Sequence, residues 1–176
     1  MKFNGLNLTK IVVVLLLCLA LLFGGQYIYR HIVLDKPMGE ELTAVEGVKD
    51  YRVVSAGGEK EIVLIMSPLN NLQESFLKAQ EIVYKVYSDQ TRVKVSDNTN
   101  DILQEVWYQS QFTVYEGIYS GHFVDMKHQL NDIAAQYSKV QIRAYVDNER
   151  VYFQAVVGEH FLYRVINREY GGDPVA

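Results

Sequence analysis

The order of apolar and polar residues separates an N-terminal segment from the rest of the chain. Residues 11–23 are apolar and uncharged, and the stretch continues to Tyr29 before it meets Arg30. A helix over 11–29 would reach about 28 Å at 1.5 Å per residue, close to the thickness of the hydrocarbon core of a bilayer. The pattern therefore predicts an uncleaved transmembrane anchor helix, with the lipid bilayer as the partner of residues 11–29.

The residues that flank this stretch bear on its processing and orientation. Tyr29 and Arg30 resemble the aromatic and basic residues that lie at a membrane interface. A cleaved signal peptide is the alternative, since Lys2 and Lys10 supply a basic start, but the small residues of a cleavage site are missing. The short tail 1–10 and the acidic sequence after the stretch favour a cytoplasmic N-terminus and a C-terminal domain outside the cytoplasm.

The remaining sequence divides by composition. Residues 30–50 combine proline, glycine and acidic residues with weak periodicity, which predicts a juxtamembrane linker. A folded domain is expected over 51–170, and a frayed tail over 171–176. About 120 residues are enough to build one hydrophobic core.

Helices are predicted where apolar residues recur every three or four positions. This spacing occurs over 69–86 and over 123–137 and defines one apolar face in each segment. The first helix is expected to open at Ser67, which would serve as its N-cap. Another helix should follow the polar cluster 97–101, whose side chains are suitable caps.

Strands are predicted where apolar and polar residues alternate or where β-branched residues cluster. Gly57-Gly58 and Asp147-Asn148 separate two pairs of such runs and predict two hairpins. The runs cover 51–55, 61–66, 91–96, 139–146 and 150–157.

Two segments leave the secondary structure open. Glycine, β-branched and aromatic residues favour a strand over 111–120, although Tyr115 and Tyr119 also have the spacing of a helix. Residues 159–169 favour a short amphipathic helix, with an edge strand as the alternative. The predicted fold is α+β: one mixed or antiparallel sheet of four to six strands, with helices packed mainly on one face.

Charge and cysteine content exclude several classes of protein. The chain has 17 basic and 21 acidic residues, a net charge of −4, and because all the acidic residues follow Arg30, residues 31–176 carry −7. Such a domain would be repelled by nucleic acid, so no nucleic-acid partner is expected. The one cysteine, Cys18, lies in the apolar stretch, so the domain has no disulfide or thiolate metal site.

The candidate chemistry is sparse. His122, Asp125 and His128 are weak candidates for a metal site, but the two histidines are six residues apart and point about 120° from each other on a helix. Two zinc ligands on one helix favour a separation of four residues. A solvated helix face is the favoured interpretation. We therefore expect no catalytic residues, no cofactor and no enzymatic activity.

Tyrosine is the unusual component of the sequence, with 13 residues. Tyrosine is rigid and amphipathic and is enriched at protein interfaces, so Tyr84, Tyr87, Tyr145 and Tyr152 are candidate interaction residues. The last two flank the turn at Asp147-Asn148 and are expected to form a cross-strand pair.

These observations favour a single-pass membrane protein whose extracytoplasmic domain binds another protein, or itself, in an envelope-associated assembly. The alternative is a membrane-tethered sensory or small-ligand domain with a pocket between sheet and helices, lined by tyrosine and phenylalanine. A metal-dependent hydrolase that uses the histidines above is less favoured.

Overall fold

The computed structural model describes residues 8–29, 36–56 and 59–168, and the chain forms two compact units, residues 1–40 and 41–176. The predicted tail over 171–176 lies outside the described residues. The elements in chain order are α1 (Leu8–Tyr29), α2 (Lys36–Thr43), β1 (Val48–Ala56), β2 (Glu59–Met66), α3 (Leu72–Val86), β3 (Arg92–Val95), α4 (Asp101–Ser120), α5 (Phe123–Ala135), β4 (Gln141–Val146), β5 (Arg150–Val157) and β6 (His160–Asn167).

The helix α1 contains the apolar stretch of the sequence. Its apolar side chains between Ile11 and Phe23 are exposed on every side of the helix. Among the described residues, none of the helices is both long enough and apolar enough to cross a membrane. The structure therefore does not support the transmembrane helix predicted over 11–29, and the side chains of Tyr29 and Arg30 lie outside the described residues.

Six strands of the second unit form two sheets. In the first sheet β1 and β2 are an antiparallel hairpin, and β3 joins β2 in parallel after α3 has crossed between them. The second sheet is an antiparallel meander of β4, β5 and β6. These pairings confirm both predicted hairpins.

The prediction of one sheet with four to six strands is wrong, because over the described residues the strands form two three-stranded sheets, and an isolated bridge joins Asn98 to Phe161. The strand β3 is four residues long, and the polar cluster after it caps a helix instead of extending a ladder. Asn100 is that cap, and its side chain accepts a hydrogen bond from the Leu103 amide at 3.0 Å.

Helices cover both faces of the second sheet rather than mainly one. Successive side chains of a strand point to opposite faces. The Phe153 ring packs on Trp107 of α4 with centroids 5.0 Å apart, whereas the neighbouring Tyr152 ring packs on Phe76 of α3 at 5.9 Å. A hydrophobic core lies between this sheet and the helices α4 and α5, and its buried side chains include Leu103, Val106, Val114, Met126, Leu130, Val151, Phe153 and Leu162.

Residues 111–120 are helical, which corrects the strand favoured from sequence. The helix α4 runs without interruption to Ser120 because Val114 and Gly117 continue its buried face. It ends at Gly121, whose φ of 74° is a left-handed conformation that glycine adopts without steric cost.

The helix favoured over 159–169 is also wrong, because β6 pairs with β5 along its whole length. Both faces of β6 are covered, so Phe161, Leu162 and Tyr163 are all buried and period-two alternation is absent.

The start of α3 also differs from the prediction. The helix begins at Leu72, and its N-cap is Asn71, whose side chain accepts a hydrogen bond from the Glu74 amide at 3.2 Å. The Ser67 hydroxyl instead donates to the Gly47 carbonyl at 3.3 Å.

Candidate interaction surface

The helix α4 has two faces of opposite character. One face packs on the second sheet and on α5 and is buried. On the other face lie four exposed aromatic side chains, which we call the aromatic stripe. The stripe consists of Tyr108, Phe112, Tyr115 and Tyr119, with 60%, 64%, 41% and 73% of their surface exposed.

The aromatic stripe is a continuous feature of one helix. Its spacing of four, three and four residues places all four side chains within about 60° of arc, at 100° per residue. From Tyr108 to Tyr119 the stripe is about 16 Å long at 1.5 Å rise per residue. Burying large side chains requires a partner, and an ordered row of exposed aromatics is typical of a contact surface.

Two members of the stripe contact each other. The Tyr108 and Phe112 rings lie edge to face, with centroids 6.0 Å apart and planes at 85°. Polar side chains border the stripe. On one side the Gln109 amide donates to the Glu105 carboxylate at 2.9 Å, and on the other the Gln111 amide donates to the Tyr108 carbonyl at 3.0 Å.

Close packing between α4 and α5 holds the stripe in place. A Cβ atom added at Gly117 would lie 2.8 Å from the Met126 Sδ and 3.0 Å from its Cβ, so glycine permits the two helices to approach. The Thr113 hydroxyl also donates to the Gln129 side-chain oxygen at 3.1 Å. Both contacts join α4 to α5.

The tyrosines proposed from sequence make contacts within the chain. Tyr145 and Tyr152 are direct cross-strand partners, as predicted. The Tyr152 ring is fully buried and its hydroxyl donates to the Asp147 carboxylate at 2.7 Å. Tyr145 is half-buried, and its hydroxyl donates to the Asn70 carbonyl at 3.0 Å.

Tyr84 and Tyr87 are also half-buried. The Gln80 amide donates to the Tyr84 hydroxyl at 2.8 Å, and the Lys60 ammonium lies 4.9 Å above the centre of the Tyr87 ring. The first contact lies within α3, and the second connects β2 to the residue that follows α3.

Burial and hydrogen bonds change the pKa values of two side chains at the turn between β4 and β5. Partial burial opposes ionisation of Asp147, but the Tyr152 hydroxyl and the backbone amides of Glu149 and Arg150 donate to its carboxylate and hold its pKa below the ordinary value of 3.8. Burial, followed by the hydrogen bond to Asp147, raises the pKa of Tyr152 well above its ordinary value. The pair is therefore a tyrosine that stays protonated and an aspartate that stays charged.

A second buried tyrosine holds the segment that leads into α3. The Tyr163 hydroxyl accepts a hydrogen bond from the Leu69 amide at 3.1 Å and donates to the Ser67 carbonyl at 3.0 Å. The buried Gln154 side chain accepts from the Leu72 amide at 2.8 Å and donates to the Asn70 carbonyl at 3.3 Å. The second sheet thus fixes this segment through polar contacts.

The weak metal candidates lie at the surface. His122, Asp125 and His128 are all exposed, at the start of α5 and on the helix itself. The first two line a cavity of about 80 Å³, which holds only a few water molecules. Within the described ranges, no group of three or more histidine, cysteine or acidic residues has an arrangement that could hold a metal ion.

A larger cleft lies where the two sheets meet. Its volume is about 510 Å³, and Lys49, Met66, Asp97 and Phe161 are among its lining residues. Asp97 forms an ion pair with Arg164 and accepts the Tyr163 amide at 2.7 Å. This cleft is not the expected tyrosine-lined pocket between sheet and helices.

Sequence reasoning missed the aromatic stripe because it assigned three of the four members to a strand. In a strand Phe112 and Tyr115 would point to opposite faces, whereas in α4 they lie on the same side. The signal that could have found the stripe is the helical spacing of Tyr115 and Tyr119.

Comparisons with protein-family models, curated proteins and solved structures find no match.

Proposed function

We propose that this chain is a membrane-attached interaction protein whose α+β domain binds another protein through the aromatic stripe of α4. The observation that carries the proposal is the row of four exposed aromatic side chains on one helix. Their burial in a complex would remove a large apolar area from water, and aromatic residues dominate the energetics of many interfaces. The polar residues beside the stripe supply the hydrophilic rim that such interfaces have.

The rigidity of α4 supports the same function. The helix is fixed to α5 and to the second sheet by its buried face, so the stripe is already ordered before a partner arrives. Binding would then cost little backbone entropy, because no segment has to fold on contact.

Membrane attachment is the second part of the proposal. The uncharged stretch 11–23 and the exposed apolar side chains of α1 support it, because such a surface is unfavourable in water. We propose that the domain lies outside the cytoplasm, as a component of an envelope-associated assembly. Flotation with membranes tests the attachment: the natural chain should float, and a Leu16→Lys, Leu19→Lys variant should not.

Site-specific photo-cross-linking in native membranes tests the interaction. A photoreactive phenylalanine analogue replaces Phe112 in one variant and Leu77 in a control, since Leu77 is an exposed apolar residue of α3. The analogue at position 112 should give an adduct of one discrete mass, and the control should not. Equal or absent adducts at both positions would contradict the proposal.

The cleft between the two sheets favours a second candidate function, the binding of a small molecule. Its volume of about 510 Å³ falls in the range of ligand sites. Native mass spectrometry of the chain released from its own membranes tests this candidate. A bound compound that is lost from a Ser96→Phe variant would support it, and a ligand-free chain would contradict it.

A further inference from the structure

We infer that the occupant of the aromatic stripe is a second copy of this chain, with the two α4 helices packed antiparallel. The spacing of four, three and four residues is that of a heptad seam, in which residues three and four positions apart on one helix pack against another helix. The inference rests on the proposed function and names its partner.

The stripe can pack against a second copy of itself that runs in the opposite direction. With the two helices antiparallel and centred between Phe112 and Tyr115, each of these residues faces the other in the second copy. Tyr108 then faces Tyr119 of the second copy at either end. Every layer of the seam holds two aromatic rings, and a single twofold axis closes the assembly as a dimer.

The polar border of the stripe also suits this arrangement. In the same register Gln109 of one copy lies beside Glu116 of the other, so an amide donor meets a carboxylate. No two glutamates face each other across the seam along this border. The dipoles of the two helices are also opposed, which is the favourable orientation for neighbouring helices.

The available area agrees with a small dimer interface. Aromatic side chains bury 150–250 Å² each, so at the observed exposure the stripe offers roughly 500 Å² per copy. A symmetrical pair would bury on the order of 1,000 Å², the lower end for a specific interface. Attachment of both chains to one membrane raises their effective concentration, so a small interface is sufficient there.

Disulfide formation in the native membrane tests the inference. Two full-length chains with different tags are co-expressed, one carrying Tyr108→Cys and the other Tyr119→Cys, both with Cys18→Ser so that no other thiol remains. The two new cysteines face each other in the antiparallel pair. Two copies of Tyr108→Cys would instead be separated by about 16 Å along the helices, beyond the reach of a disulfide.

The mixed pair should form at least ten times more disulfide-linked dimer than either variant alone. Adding Phe112→Ser to both chains should lower the yield at least tenfold, and adding Leu77→Ser should leave it unchanged. A dimer formed by Tyr108→Cys alone would indicate parallel helices and overturn the inference, as would a mixed pair that forms no disulfide.

The two proposals fail in different ways. If the photoreactive group at position 112 captures a protein of another mass and the mixed pair stays unlinked, the second copy is excluded as the occupant while the interaction surface stands. If both experiments give nothing, the interaction surface itself is excluded.

Discussion

The Tyr108 and Phe112 rings lie edge to face on the exposed side of α4, one turn apart, with centroids 6.0 Å apart. An edge-to-face pair is a favourable aromatic geometry, so these rings order each other even in solvent. Together with Tyr115 and Tyr119 they form an exposed apolar row, and the opposite face of the helix packs against the core. The buried face of α4 thus contributes to the core, and its exposed face is the proposed interaction surface.

The first prediction concerns the exposed side of α4. Phe112→Ser should change the free energy of unfolding of the isolated chain by less than about 0.5 kcal/mol, because the side chain is mainly exposed. Phe153→Ser, which removes a fully buried ring, should cost about 3–5 kcal/mol. Urea unfolding at low protein concentration measures both. A large loss at position 112 would mean that the ring supports the fold.

The second prediction concerns the contact between α4 and α5. Gly117→Ala should destabilise the domain by about 1–3 kcal/mol, because the new methyl group would overlap Met126. On propensity alone this change in a helix would be stabilising. The double variant Gly117→Ala, Met126→Ala should lose less stability than the sum of the two single variants, because the smaller side chain removes the overlap. Simple additivity would show that the two residues are not in contact.

The third prediction compares two tyrosine hydroxyls. Tyr163→Phe leaves the buried Leu69 amide without its acceptor, so it should cost about 1–3 kcal/mol. Tyr145→Phe is the matched control, because the Asn70 carbonyl keeps hydrogen bonds from Arg143 and Gln154. Chemical denaturation should give the larger loss for the first variant. Equal losses would refute the assigned role of the Leu69 contact.

The fourth prediction concerns acid stability. Because hydrogen bonds lower the pKa of Asp147 in the folded state, its contribution is fully present above the ordinary value of 3.8 and is lost as the pH falls through the lower folded-state value. Tyr152→Phe removes one donor and should make this acid dependence shallower. Unfolding titrations from pH 2 to pH 6 provide the measurement, with Tyr84→Phe as the control. An unchanged dependence in Tyr152→Phe would contradict the assignment.

Elements with one buried face could be predicted from the sequence. The helices α3 and α5 bury one side, so their period is visible in the order of apolar residues, and the hairpin of β4 and β5 could be predicted from its turn at Asp147-Asn148. The strand β6 could not be predicted, because its two faces are both covered and the alternation disappears. The division into two sheets could not be predicted either, because strand pairing is set by contacts between residues distant in the sequence, such as the bridge between Asn98 and Phe161.

Predicting the aromatic stripe depended on the secondary structure of residues 111–120, which the sequence left open. Aromatic and β-branched residues favour strands by propensity, and the aromatic ones lie on the exposed side of α4, where propensity is not corrected by packing. The buried side decides the structure, since Val114 and Gly117 continue the helical face that begins at Leu103. Once the segment is helical, Phe112, Tyr115 and Tyr119 fall on one side.

The most direct test of the account is whether the aromatic stripe is covered in the native membrane. Hydroxyl-radical labelling, read by mass spectrometry, compares the chain in membranes with the same chain purified and diluted in detergent. Labelling of the stripe should fall several-fold in membranes, while the exposed Leu77 and Val53 should be labelled equally in both. Equal labelling of the stripe in the two preparations would contradict its role as an interaction surface.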